Sequence, residues 1–115
     1  MAYLAGYFDG EGCIRFESTP SITVTSIYPY TLHVFRDGFG GSVKPQPGNE
    51  RNKPAFRWRA YGENAVTCLE ALQPHLREKR VQALLCLEIR KTPPGSTRDG
   101  MVTQLNHTKS FEYGD

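Results

Sequence analysis

Small side chains recur at every fourth residue near the start of the chain, at Ala2, Gly6 and Gly10. Residues four apart share one face of an α-helix, so a helix over residues 2–9 presents a stripe with very little side-chain bulk. Such a stripe lets a second backbone come unusually close. We therefore expect this helix to pack against a twin of itself, through an interface made of Ala2, Ala5, Gly6, Asp9 and Gly10.

The same segment ends in two acids and two glycines, and residues 4–12 read Leu-Ala-Gly-Tyr-Phe-Asp-Gly-Glu-Gly. This string resembles the signature of the LAGLIDADG homing endonucleases. Its opening leucine, alanine and glycine are identical to the signature. The closing Asp9-Gly10-Glu11-Gly12 supplies the two acids, the small residue and the final glycine, with glutamate as a common family spelling of the second acid. The resemblance continues, more weakly, to about residue 91.

The length of 115 residues is enough for one domain with a real core and too short for two. Pro93-Pro94-Gly95-Ser96 indicates a break or linker. We therefore expect a LAGLIDADG endonuclease domain over residues 1–91. The tail over residues 92–115, which the resemblance does not cover, is expected to be either disordered or folded as a short helix.

Hydrophobic periodicity predicts the order helix, hairpin, helix, hairpin, helix, helix. The fold class is α+β, an αββαββα-like arrangement with a four-stranded antiparallel sheet and helices on one face. Proline and glycine punctuate the elements, as where Gly40-Gly41 ends the second helix. The predicted helices and the two hairpins cover residues 2–9, 14–25, 28–39, 43–61, 63–72 and 79–91.

Period-two alternation leaves one sheet face polar. Its mixture of cations, hydroxyls and an amide suits base edges and phosphates, but an ordinary solvated face is the alternative reading. The net charge of +2 is a weak argument for nucleic acid, so the distribution of charge matters more than its sum. The resemblance implies that this face enters the major groove of DNA. The candidate DNA-binding residues are Arg15, Glu17, Thr23, Thr25, Lys44, Gln46, Arg57 and Arg59.

Phosphodiester cleavage needs a carboxylate that holds a divalent metal ion against the scissile phosphate. The resemblance implies that Glu11 is this ligand and that Gly10 contributes its backbone carbonyl, with Mg²⁺ or another divalent cation as cofactor. Taken alone, an acid such as Glu11 would more often be a solvated helix end. Asp9 is expected to be structural, satisfying backbone groups where the helix ends.

Lys79 is the second catalytic candidate, because its segment resembles the family segment that presents a basic residue to the active site. A lysine there could polarise the attacking water or stabilise charge on the phosphate. The alternative is a solvated lysine at a helix start, and Arg77 or Arg80 could take the role in a shifted register. Ser26 lies where several relatives carry a longer polar side chain that orders water.

A single motif supplies half of a two-acid site, which implies a homodimer on a pseudo-palindromic target. The leading hypothesis is a Mg²⁺-dependent, site-specific DNA endonuclease, of the kind associated with intron or intein mobility. The first hairpin is short, with about five residues per strand and about 17 Å of reach, so fewer base contacts are expected. The alternative is a non-cleaving DNA- or RNA-binding protein on the same scaffold.

Three cysteines without a CxxC motif, and no evident signal peptide, predict an intracellular protein. The cysteines are expected to be buried small hydrophobes at Cys68 and Cys86. The three histidines lack the spacing of metal ligands, which argues against a zinc site. No apolar run is long enough to span a bilayer.

Overall fold

The computed structural model describes residues 2–51 and 53–112, without the side chains after residue 107. It shows five α-helices and one four-stranded antiparallel sheet within these ranges. A short 3₁₀ turn, Gln73–His75, joins the third and fourth helices. In chain order the elements are α1 (Ala2–Glu11), β1 (Gly12–Phe16), β2 (Pro20–Ser26), α2 (Pro29–Phe39), β3 (Ser42–Gln46), β4 (Ala55–Tyr61), α3 (Gly62–Leu72), α4 (Arg80–Lys91) and α5 (Ser96–Glu112).

The four strands pair in the order β1-β2-β4-β3, with every neighbouring pair antiparallel. The predicted α+β class and four-stranded sheet are therefore confirmed. The two hairpins β1-β2 and β3-β4 meet through the central pair β2 and β4, where Val24 lies opposite Trp58. One face of the sheet is buried against the helices, because Ile14, Ile22 and Ala60 alternate with the polar residues of the opposite face.

Trp58 anchors the middle of the core and is completely buried. Its ring stacks on Phe35 of α2 at 4.9 Å between centroids, and its indole N–H donates to the carbonyl of Gly40 at 2.8 Å. The chain turns sharply after α2, where Gly41 has φ of 87° and a Cβ added there would lie 2.4 Å from the carbonyl oxygen of Arg59. Glycine is thus required where α2 ends and β3 begins.

The segment beyond the motif resemblance was expected to be either disordered or a short helix. In the structure it forms the helix α5, which is 17 residues long. Leu105 belongs to the buried core, and the side chain of Asn106 pairs with the free edge of β1. The amide oxygen of Asn106 accepts from the backbone N–H of Phe16, and its NH₂ donates to the Phe16 carbonyl, both at 3.2 Å. This contact covers an edge that would otherwise expose unpaired groups. Residues 113–115 of the predicted tail lie outside the described residues.

Candidate functional site

The end of α1 is held against the segment before α4 by Asp9. One carboxylate oxygen of Asp9 accepts from the backbone N–H of Arg77 at 2.7 Å, and the other accepts from the backbone N–H of Lys79 at 3.0 Å. In return, the ammonium Nζ of Lys79 donates to the backbone carbonyl of Asp9 at 2.7 Å. Asp9 therefore satisfies backbone groups, as its predicted structural role requires.

Glu11 is the last residue of α1 and differs from Asp9 in its surroundings. It is exposed, and its carboxylate makes no hydrogen bond or ion pair with the part of the chain that the structure describes. It borders an open cavity of about 570 Å³ that also touches Gly10, Ser26 and Tyr28. Glu11 is thus available to an external ligand, as a metal-binding carboxylate must be.

The described part of one copy of the chain does not form a complete metal site. Among the described residues, no group of three or more His, Cys, Asp or Glu side chains could hold a metal ion together. The available oxygen donors at the end of α1 are the carboxylate of Glu11 and backbone carbonyls such as that of Gly10. Hard oxygen donors suit Mg²⁺, which binds through one or two carboxylates and completes its shell with water and phosphate.

The small-residue face of α1 is open where Gly6 and Gly10 lie. Both glycines are exposed, and a Cβ added to either would meet nothing within 4 Å. Ile27 and Tyr28 border the same cavity and are 51% and 72% exposed, so apolar surface continues beside this face. This geometry is compatible with a close helix contact at Gly6 and Gly10.

The predicted place of Ala5 in that interface is wrong. Ala5 is completely buried in the core of its own chain, together with Phe8. The physical reason is helical spacing, because residues three apart share a face, and Ala5 therefore turns inward with Phe8 and away from Gly6. Asp9, another predicted interface residue, has its carboxylate engaged by the backbone of residues 77–79.

Ser26 is also engaged within the chain. Its hydroxyl oxygen accepts from the hydroxyl of Tyr7 at 2.6 Å and from the backbone N–H of Tyr28 at 3.1 Å. These bonds fasten the end of β2 to α1 and to the start of the following loop. The Ser26 hydroxyl therefore has a structural role within the chain.

The strand register aligns the candidate DNA-binding residues in rows across the polar sheet face. Thr25, Arg57 and Lys44 form one row, and Thr23 lies opposite Arg59 in the next. Arg15 and Lys44 are exposed at the two edges, whereas the threonines and the two central arginines are half-buried. Gln46 ends β3, and Glu17 lies just after β1, with its carboxylate 3.5 Å from Nε of Arg15. All eight predicted residues are thus presented by this face or its margin.

The arginines of β4 retain unused hydrogen-bonding capacity. The Nε groups of Arg57 and Arg59 are buried without a hydrogen-bond partner in the described structure. A terminal N–H of Arg59 donates to the hydroxyl of Tyr61 at 3.0 Å, and its guanidinium lies 5.7 Å from the centre of the Tyr61 ring. A groove of about 440 Å³ is lined by Arg57 and Arg59 together with Ser42 and Lys44. An anionic ligand in this groove would meet the cationic side chains of Lys44, Arg57 and Arg59.

Tyr61 and Ser42 also lie on this face and line its groove, although they are not among the predicted residues. Ser42 pairs with Arg59 in the register, and Tyr61 follows Arg57 and Arg59 in the same alternation. Extending the period of two by one more step at the end of β4 would have identified Tyr61.

Comparison with known proteins supports the motif resemblance. A crystal structure of the homing endonuclease I-CvuI in complex with its target has a TM-score of 0.65 and 28% identity, over 90% of this chain and 73% of that one. A second structure of I-CvuI, in complex with the I-CreI target in the presence of Mg, has a TM-score of 0.64, 29% identity and the same coverage. The homing endonuclease I-TnaI, at 17% identity, shares the fold with a TM-score of 0.62 over 92% of this chain and 84% of its own.

No family model matches the sequence, and no curated protein matches it either. The resemblance therefore rests on the nine-residue motif and on the three-dimensional fold. The fold belongs to the α+β class, with a four-stranded sheet that has one open polar face. The motif helix α1 ends at Glu11, whose carboxylate has no partner among the described residues. This is the fold of the LAGLIDADG homing endonucleases, and the resemblance stated from the sequence is confirmed.

The described part of the chain contains no helix with the length and apolar character needed to cross a membrane. The three cysteines are free, with Cys68 and Cys86 buried as predicted and Cys13 half-buried on the polar sheet face. Burial raises the pKa of the Cys68 and Cys86 thiols from 9.0 to about 12, so both remain neutral at physiological pH.

Proposed function

We propose that the protein is a site-specific double-strand DNA endonuclease that acts as a homodimer and depends on Mg²⁺ or another divalent cation. The observation that carries this proposal is the free, exposed carboxylate of Glu11 at the end of the motif helix, beside a sheet face rich in polar donors. The structures of I-CvuI in complex with its target and with the I-CreI target, which have the same fold, support DNA as the ligand.

The dimer would form through the exposed faces of two α1 helices, at Ala2, Gly6 and Gly10. Each copy contributes one Glu11, so a two-fold axis between the helices brings two acids to one centre. Two carboxylates held close together repel unless a cation lies between them, which explains why such a pair needs a divalent metal. The same axis joins two sheet faces into one DNA-binding surface, and its symmetry favours a pseudo-palindromic target.

At the cleavage centre, Glu11 and the Gly10 carbonyl would hold the divalent cation against the scissile phosphate. When bound, such a cation stabilises the charge that develops on the phosphate and lowers the pKa of a water ligand. The protein's part is to fix the direction of Glu11, which it does by fastening the preceding Asp9 to the backbone of residues 77–79.

On the sheet face, the central arginines and the polar residues around them would have different tasks. The guanidinium groups of Arg57 and Arg59 line the groove and suit phosphate oxygens or guanine edges, while Thr23, Thr25 and Gln46 suit base edges. Arg15 and Lys44 lie toward the margins of the face, where contacts with the DNA backbone would position the complex. The Glu17 carboxylate lies beside Arg15 and suits the amino group of a cytosine rather than a phosphate.

The test begins with cleavage of a randomised DNA library by the purified protein in Mg²⁺, followed by recovery of the cut sequences. Glu11→Gln is expected to abolish cleavage and to leave dimerisation and DNA binding largely intact. Glu70→Gln is the matched control, because Glu70 is an exposed acid on α3. Cleavage by Glu11→Gln at the wild-type rate would refute the assignment.

Two further outcomes are informative. Target binding by the wild-type protein without cleavage in any divalent metal would favour a DNA-binding regulator on this scaffold, and preferential binding to RNA would favour a maturase-like role. A protein that sediments as a monomer and cuts no DNA contradicts both the dimer and the enzyme.

A further inference from the structure

Lys79 differs from the other basic residues near the motif because it is buried, with only 4% of its surface exposed. It forms no ion pair with any residue in the described ranges. Its ammonium instead donates to the backbone carbonyl of Asp9 at 2.7 Å. The reading of Lys79 as a solvated helix-start lysine is therefore wrong, and the cation has a defined partner.

The partner carbonyl belongs to the last turn of α1, which ends at Glu11. The last four carbonyls of an α-helix receive no hydrogen bond from within the helix, and lysine side chains near a helix end can donate to them. A positive charge there also interacts favourably with the negative end of the helix dipole. Lys79 thus caps the helix that carries the motif, although it lies 70 residues away in the sequence.

The contact is reciprocal, which makes it a clamp. Asp9 offers its carboxylate to the backbone N–H groups of Arg77 and Lys79, while Lys79 returns a bond to the Asp9 backbone. Three hydrogen bonds therefore fix both the main chain and the side chain of the residue two positions before Glu11. The intervening Gly10 is exposed and has no side chain to restrain it, so the direction of Glu11 depends on how firmly Asp9 is held.

We infer that Lys79 is a positioning residue, which orients the Gly10 carbonyl and the Glu11 carboxylate by capping α1, rather than a group that acts on the attacking water. This inference rests on the proposed function of Glu11 as a metal ligand. Removal of the ammonium leaves the Asp9 carbonyl without its partner and loosens the last turn of α1. The affinity for the divalent cation then falls, whereas the chemical step at saturating cation is retained.

The first measurement is amide hydrogen exchange of Lys79→Met, which keeps a similar length and loses the charge. Amide exchange at residues 10–12 is expected to accelerate about tenfold, because a tenfold change corresponds to the free energy lost with one hydrogen bond to a buried partner. Lys91→Met, an exposed lysine at the end of α4, is the control and should leave these amides unchanged. Unchanged exchange in Lys79→Met overturns the inference, and this readout needs neither DNA nor cleavage.

The second measurement is single-turnover cleavage of a library-selected target across Mg²⁺ concentrations and pH. Positioning predicts that the Mg²⁺ midpoint rises about tenfold, while the saturating rate changes by less than about threefold and the pH profile keeps its shape. A normal midpoint with a saturating rate lowered more than about tenfold, or an altered pH profile, assigns Lys79 to the reaction itself and overturns the inference.

If Lys79→Met does not fold, Lys79→Arg replaces it, because arginine keeps a cation and donors for the Asp9 carbonyl. Its Mg²⁺ midpoint is expected within about threefold of wild type, and a tenfold rise in a folded Arg variant contradicts the inference. Failure of the wild-type protein to cut any DNA would instead refute the proposed function, and the exchange experiment would still decide whether Lys79 orders the end of α1.

Discussion

Asp9→Ala should destabilise the protein strongly, although Asp9 and Glu11 are neighbouring acids of one motif. The substitution removes two hydrogen bonds to a carboxylate, from the backbone N–H groups of Arg77 and Lys79. Hydrogen bonds to charged groups contribute about 1.5–3 kcal/mol each when well protected, and less where water can replace them. Lys79 is buried but Arg77 is exposed, so we expect a loss of about 2–4 kcal/mol in total.

Urea denaturation followed by the fluorescence of Trp58, the single tryptophan, measures this loss directly. With a urea slope of about 1–3 kcal/mol per molar, the midpoint should fall by roughly 1–2 M. Asp37→Ala is the matched control, because the Asp37 side chain is 71% exposed and, among the described residues, pairs only with neighbouring Arg36. Its cost should stay below about 1 kcal/mol.

Glu11→Gln completes the comparison, since Glu11 has no partner in the described structure and its neutralisation should leave the urea midpoint almost unchanged. An Asp9→Ala loss below about 0.5 kcal/mol, or an equal loss for Glu11→Gln, would refute the division of the two acids into a structural and a reactive one.

Three further predictions concern other parts of the molecule. Gly12→Ala should cost about 1–3 kcal/mol in urea denaturation, because the new Cβ would lie 2.6 Å from the carbonyl oxygen of Phe8; a neutral effect would contradict the tight passage from α1 to β1. Arg57→Ala should lower the slope of log affinity against log salt by about one if Arg57 meets a phosphate, and an unchanged slope excludes that contact. Native Cys68 and Cys86 should resist iodoacetamide at pH 8, since burial raises the pKa of both thiols to about 12, and rapid labelling of either by mass spectrometry would contradict their burial.

Because burial raises the pKa of the Cys68 and Cys86 thiols, the free energy of unfolding should decrease at high pH. The folded state favours the neutral thiols, so their contribution is fully present below the unfolded pKa of 9.0 and is lost as the pH rises toward about 12. A Cys68→Ala variant should therefore lose less stability than the wild type between these limits, as urea midpoints at several pH values would show. An identical pH dependence for the two proteins would contradict the shift.

The elements with strong local periodicity were predictable from the sequence. The helix expected over residues 28–39 is observed as Pro29–Phe39, and the hairpin expected over residues 43–61 as the strands Ser42–Gln46 and Ala55–Tyr61. Both combine a clear apolar repeat with proline or glycine at the boundary, so local preference and packing agree. The motif helix was expected to end at Asp9 but continues to Glu11. Glycine at position 10 has a low helix propensity. The hydrogen bond from the Lys79 ammonium to the Asp9 carbonyl stabilises the last turn of the helix in spite of it.

The contacts that could not be predicted join residues far apart in the sequence. Lys79 was expected to face the active site or solvent, and nothing local shows that its ammonium returns to Asp9 across 70 residues. Asn106 pairs with Phe16 across 90 residues, in a segment that the motif resemblance does not cover. Periodicity indicates which face of an element is buried, but it does not identify the residue that covers a sheet edge.

The central claim is that two copies of Glu11 form one cleavage centre, and a subunit-mixing measurement tests it most directly. Wild-type and Glu11→Gln chains are refolded together in equal amounts, and the total number of strands cut in the selected target, nicks included, is measured with DNA in excess. Random pairing leaves about a quarter of the dimers with two wild-type subunits, so total strand cleavage should fall to about a quarter of that of the same amount of wild-type protein. A fall to only about a half, with nicked DNA from the mixed dimers, would mean that each subunit cuts one strand independently, and would contradict a shared centre.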